Sequence, residues 1–361
     1  MRSEIESTPA TPRGDPSSSD NPFEEFSREV RGAVEARLGR LLDERLEEAT
    51  SLGPSVRASL EALRGLCVRG GKRWRAALIA AAYAGCGGVG GPGHAVMAGV
   101  AIELLQAYLL VHDDWMDGDE VRRGGPSVHV ALARHFSSDS LGAVAAILVG
   151  DHASALAQEA LLSVPVSAER LLDAAREFAL LQREVTLGQM LDVLGAAPGL
   201  DATYTLKTGS YTVRGPLMMG AALAGASSET KAALERYSAP LGIAFQLRDD
   251  LLGAFGDPKA TGKPRGSDLL KGKRTSLVVE MEADPRSAAL LARVLGVEDA
   301  PPEELEAVTA RMETSGARER VELKLRTLLA QAVEVLEHEA VGRELRRILI
   351  GAAQSLGHRE R

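Results

Sequence analysis

Apolar residues recur at helical spacing along almost the whole chain. Phe26, Val30, Val34, Leu38 and Leu42 form the first stripe, the repeat that turns one face of a helix toward a core. Asn21 can cap that helix, Pro22 suits its first position, and Glu24 can reach back as in a capping box. Further helical segments of about 15 to 25 residues follow, ended by Gly and Pro, as in GCGGVGGPG (85–93) and GAAPGL (195–200). No alternating strand run, regular repeat or Gly-rich phosphate loop between a strand and a helix interrupts the pattern. No linker divides the body. The pattern predicts an all-α, single-domain helical bundle over residues 21–361. It follows a Ser- and Pro-rich tail, 1–20, that is expected to be disordered.

The stretch 95–111 is apolar enough to raise the question of a membrane span. Glu103 and Gln106 lie inside it and HDD follows directly, which favours a buried core helix and no stable membrane insertion. Composition agrees. Of 361 residues 45% are apolar but only 4% aromatic, a balance suited to helices packed closely through small side chains. A formal net charge of -8 argues against a nucleic-acid partner. Cys67 and Cys86 are too few for a disulfide framework and lack zinc-ligand spacing. With no secretory signal visible at the N-terminus, a reducing, cytoplasmic setting is expected.

Two acidic pairs change the picture from fold to chemistry. In HDDWMDGDEVRRGG, Asp113 and Asp117 share a helical face with Asp114 beside them. Like charges at that spacing need neutralising, by water or by a metal, and oxygen-only ligation suits Mg²⁺. The apolar AIELLQAYLLV precedes them, and Arg122 and Arg123, planar donors matched to diphosphate oxygens, follow. In FQLRDDLLGAFGD, Asp249 and Asp250 again end an apolar helix, Gln246 lies one turn earlier, and Gly256 is expected to close the helix in a left-handed cap. A loop with Lys259, Lys263, Lys271, Lys273 and Arg274 comes next; it reads as solvated surface or as a flap over phosphate. Near the N-terminus, Lys72, Arg73 and Arg75 follow two glycines that let backbone approach an anion closely.

These motifs together resemble the trans-isoprenyl diphosphate synthases (polyprenyl synthetases), short-chain and geranylgeranyl diphosphate synthase-like, from about residue 25 onward. The matches are GGKRWRA, DDWMD with Arg122-Arg123-Gly124, LGQMLD, LKTGSYT, and FQLRDD with GKPRGSDLLKGKRT. The resemblance implies a helical bundle around a central cavity, isoprenoid synthase type I-like, and a homodimer. It implies Mg²⁺ held by Asp113, Asp117 and Asp249, supported by Asp114 and Asp250, with Asp192 joining through water. Arg122, Lys207, Lys263 and Lys273 would grip an allylic diphosphate. Lys72, Arg75 and Arg123 would grip isopentenyl diphosphate, with Gln106 where a histidine is usual. Thr208 and Gln246 would line the path of the cationic intermediate. Gly253 stands where the second motif often has a third aspartate, and Ala76 replaces a usual proline.

The implied reaction is head-to-tail trans condensation. Diphosphate leaves the allylic substrate, the isopentenyl double bond attacks the cation, and a proton is lost to the released diphosphate. Tyr108 lies five residues before Asp113, roughly 7 Å deeper along a helix. It is the candidate floor that stops the product at geranylgeranyl length; the alternative is that it simply packs in the core. Farnesyl or longer products, a terpene cyclase and a non-catalytic partner subunit are the rival readings. The cyclase is disfavoured by the GGKRWR motif and the second aspartate pair.

Overall fold

A computed structural model describes residues 21–195, 199–257 and 265–358. The tail 1–20, Lys259 and Lys263 lie outside the described residues. Helices follow one another as α1 (Pro22–Ala49), α2 (Pro54–Val68), α3 (Trp74–Gly85), α4 (Val96–Met116), α5 (Val128–Phe136), α6 (Asp139–Leu162) and α7 (Ala168–Leu194). A short α8 (Leu200–Thr203) runs into a π-helix, Tyr204–Arg214, and then into α9 (Gly215–Ala224) and α10 (Ser228–Phe255). The remainder is α11 (Ser267–Leu270), α12 (Ser276–Glu282), α13 (Pro285–Leu291), α14 (Pro302–Thr314), α15 (Ala317–Val335) and α16 (Arg343–Gly357). The strands among the described residues are a two-residue antiparallel ribbon, β1 (Val121–Arg122) with β2 (Gly125–Pro126).

The centre is built from small residues, as the composition foretold. Every residue of α9 is buried, and α3 is buried along most of its length. A helix apolar on all sides belongs inside, and these two form the middle layer. Ala77, Leu78 and Leu217 pack into one core with α10, α15 and α16. Ile79, Ala80 and Met219 pack into the other with α1, α4 and α6. The helices touch closely: a methyl at Gly220 would stand 2.2 Å from the Ile79 carbonyl oxygen.

The expected core helix is found. The helical stretch Pro92–Met116 is long and apolar enough to cross a bilayer, as is α6. Val100, Ala101, Ile102, Leu104 and Leu105 nevertheless lie wholly inside the protein. Two local expectations fail. Asn21 does cap α1, accepting from the Phe23 and Glu24 amides, but the Glu24 carboxylate turns to Ser355 on α16, at 2.8 Å, rather than back to the cap. Gly256 leaves α10 extended, at φ -67° and ψ 161°, not left-handed. Its amide bonds Leu252 O and the Gly266 amide returns to Gly253 O, so the last turn is satisfied without a left-handed residue.

Candidate active site

The first aspartate motif occupies the C-terminal end of α4, where packing treats its members differently. Asp114 is fully buried and accepts from Arg122 Nε at 2.7 Å and from Nη2. Arg122 also reaches Asp119 at 2.9 Å. The β1–β2 ribbon fixes this arginine, itself held by Arg69, which donates to the Pro126 carbonyl at 2.7 Å. Burial raises the Asp114 pKa, opposed by the Arg122 hydrogen bond and charge. Asp113 and Asp117 instead meet lysines. Lys207 Nζ lies 3.6 Å from Asp113 and is bonded to Asp192. Lys273 Nζ lies 2.5 Å from Asp117, and Lys271 pairs with Asp119. Burial works against the charge on Lys207, but Asp113 and then Asp192 outweigh it and its pKa is raised. Lys273 is shifted the same way, with burial outweighed by Asp117 and Asp113.

Lys207 and Thr208 sit on the π-helix, a winding that is rare and concentrates at functional sites. Close backbone contacts hold it. A methyl at Gly188 of LGQMLD would stand 2.2 Å from the Lys207 amide nitrogen, and one at Gly242 would stand 2.6 Å from Gly209 Cα. These two glycines let α7 and α10 clasp the segment from opposite sides. Thr208 Oγ1 donates to Gln246 Oε1 at 2.5 Å, and Gln246 Nε2 to Asp250 Oδ1 at 2.9 Å. Asp250 is buried at 4% exposure, and burial pushes its pKa up to about 6 against the hydrogen bonds it accepts from Tyr204, Gln246 and Ser276. Asp249 is half-buried on the same turn of α10. A Cβ on Gly253 would stand 3.0 Å from the Asp268 carboxylate on α11, the end of a side chain that can turn aside.

The basic N-terminal motif precedes α3. Gly70 and Gly71 have φ of 85° and 146°, and Lys72 follows, exposed. Arg73, unlike Lys72 and Arg75, is buried. It pairs with Glu103 of α4 at 2.7 Å and donates to Cys67 O. Arg75 donates to Thr212 Oγ1 at 2.8 Å and lies over the Tyr211 ring, 4.3 Å from its centroid. Arg123 comes to the same loop, its Nη2 3.6 Å from a methyl placed on Gly71. Burial, and then the Arg73 charge, lower its pKa. Gln106 is half-buried on α4. Tyr108 is half-buried beside the His112 ring, 4.8 Å between centroids, and its hydroxyl comes near Thr186 of α7. Gln189, one turn further along α7, donates to Asp113 at 2.9 Å. Tyr108 therefore stands below Asp113 on the side that faces α7.

Sequence reasoning missed Gln189, Asp119, Tyr204 and Thr212. The first two lie within quoted motifs, LGQMLD and DGDE, where their partners could have been sought. Thr212 likewise closes the quoted LKTGSYT, whereas nothing in the sequence marks Tyr204. Among the described residues no three His, Cys, Asp or Glu side chains are grouped as a ready-made metal site; Asp113, Asp117 and Asp192 pair with lysines.

The family model described as polyprenyl synthetase matches residues 57–312. The chain belongs to the polyprenyl synthetase family. It is a prenyl-transferring enzyme with the helical fold of that family. Among curated relatives, it is 37% identical over 273 residues to the geranylgeranyl diphosphate synthase of Mycobacterium tuberculosis, covering 69% of this chain and 74% of that one. It is 32% identical over 297 residues to the geranylfarnesyl diphosphate synthase of Aeropyrum pernix, covering 78% and 89%. Among solved structures, the geranylgeranyl pyrophosphate synthase of Corynebacterium glutamicum, complexed with isoprenyl diphosphate and magnesium, superposes with a TM-score of 0.84 at 31% identity, covering 93% of this chain and 99% of that one. The polyprenyl synthetase motifs read from the sequence thus lie on one all-α scaffold.

Proposed function

We propose that this enzyme condenses isopentenyl diphosphate head-to-tail with an allylic diphosphate, releasing diphosphate and a short-chain trans product, geranylgeranyl diphosphate. The observation that carries this reading is the convergence of Lys207 and Lys273, from two separate segments, on Asp113 and Asp117. Cations and carboxylates so interleaved suit a diphosphate bound together with a divalent cation, each charge meeting its opposite on the protein. The hard oxygens of Asp113, Asp117 and Asp249 fit Mg²⁺, while Asp114 and Asp250 are engaged with protein donors and act in support. When bound, Mg²⁺ supplies Lewis-acid stabilisation of the leaving diphosphate.

The remaining steps fall to the chain's own residues. Lys207, Lys273 and Arg122, with Lys263 on the resemblance, grip the allylic diphosphate and lower its cost as a leaving group. Lys72, Arg75 and Arg123, beside Gln106, hold the isopentenyl diphosphate so that its double bond meets the allylic carbon. Thr208 and Gln246, bonded to each other, present oxygen lone pairs toward the developing cation. The growing chain descends along α4 until Tyr108 stops it. The exposed stripe Leu141, Val144, Leu148 and Leu162 on α6 supports the homodimer, and the cytoplasmic assignment rests on the sparse cysteines, Cys67 and Cys86. Purified protein given Mg²⁺, isopentenyl diphosphate and each allylic primer in turn should yield a longer prenyl diphosphate by chromatography. Absence of elongation with every primer would end this reading, and a product formed equally well in excess chelator would end the part played by Mg²⁺.

A further inference from the structure

One buried cluster, centred on Asp250, is tied to three sides of the site through Tyr204 and Ser276, which have no part in the reaction itself. Tyr204, the first residue of the π-helix, donates its hydroxyl to Asp250 Oδ2. Ser276, the first residue of α12, gives the same oxygen its amide and its hydroxyl, both at 3.1 Å. The Ser276 amide also lies 2.9 Å from Tyr204 Oη. Gln246 occupies the other carboxylate oxygen at 2.9 Å. Tyr204, Asp250 and Ser276 are only 6%, 4% and 6% exposed. A carboxylate accepts about four hydrogen bonds, and donors from the π-helix, α10 and α12 supply them.

Each of those segments carries a site residue close by in sequence. Tyr204 precedes Lys207 by one short stretch of π-helix, Asp250 adjoins Asp249, and Ser276 follows Lys273 across the cap residue Thr275. The flap is therefore anchored at its C-terminal end to the carboxylate that anchors the π-helix. We propose that Tyr204 and Ser276 are positioning residues that act through Asp250 to clamp π-helix, α10 and flap into the frame that sets Lys207, Asp249 and Lys273 around the diphosphate. The diphosphate in this statement rests on the reaction proposed above; the clamp itself does not.

Two conservative variants test it. Tyr204→Phe keeps the ring and removes one donor; Ser276→Ala keeps the amide and removes the hydroxyl. Native enzyme is exposed to trypsin, and cleavage after Lys271, Lys273 and Arg274 is followed by mass spectrometry. Loss of a hydrogen bond to a charged group should speed flap cleavage about tenfold or more, with cleavage elsewhere unchanged. In Tyr204→Phe the KM for the allylic diphosphate should rise by a similar factor, with kcat falling less. Flap cleavage at the wild-type rate in both variants overturns the clamp. So does faster cleavage spread evenly along the chain, which marks general loss of stability. Nicking requires no turnover, so a wild-type protein that elongates no primer removes the proposed reaction and leaves this test intact.

Discussion

Asp113 and Asp114 are the same letter side by side, yet a helix turns successive side chains by about 100°. One faces Lys207, while the other is sealed against Arg122. The motif was legible as acid beside base, but the division of labour within it was not, because packing from other segments decides which carboxylate is buried. Arg73 makes the same point among the basic residues, where Glu103, thirty positions on, takes it into the core. Tyr108 carries a direct prediction: Tyr108→Ala should lengthen the principal product by at least one isoprene unit in a chromatographic assay. An unchanged product profile would leave the ring as ordinary packing. The thiols give a pH prediction. Burial pushes Cys67 up to about 12 and Cys86 up to about 11, from an ordinary 9.0. Raised folded values mean that the neutral thiols favour the folded state. Their contribution is full below pH 9.0 and is lost as pH rises through 11 and 12. Native protein at pH 8 should therefore resist a thiol reagent that labels the unfolded chain at both positions.

Among the elements, long helices with apolar stripes were readable because burial repeats every turn. The π-helix was not, because its wider hydrogen-bond step leaves no mark in hydropathy. What the sequence did hold was its glycines. Gly188 and Gly242 pass as breaks in apolar helices until the backbone of the π-helix is seen against them. Gly188→Ala would set a methyl against the Lys207 backbone, which cannot swing aside as a side chain can. We expect about 1–3 kcal/mol of destabilisation in denaturant unfolding, together with a larger loss of kcat/KM than stability alone explains. A variant as stable and active as wild type would show that α7 yields. The trimmed second motif belongs at this scale too: Gly253 looked like a loss, but Asp268 from α11 already brings a carboxylate to that spot.

For the molecule as a whole, the scarcity of aromatics and the wealth of Ala and Gly translated into a middle layer of α3 and α9 between two cores. Nothing in composition separates that buried surface from the stripe on α6, where Leu148 stays 63% exposed. Leu148→Glu should shift a dimer toward monomer in sedimentation, while the fold keeps its stability to within about 0.5 kcal/mol, as for other surface changes. A dimer that persists through this change would place the contact elsewhere. The lysine–aspartate pairs of Asp113, Asp117 and Asp119 have a wider consequence. They make the site an ion exchanger that carries its own counter-ions. A cation arriving alone strands the lysines, and a diphosphate arriving alone strands the carboxylates, so each is a poor guest without the other. Calorimetric titration should find weak binding of Mg²⁺ or diphosphate singly and a reciprocal gain when both are present: the site is built to trade salt for salt.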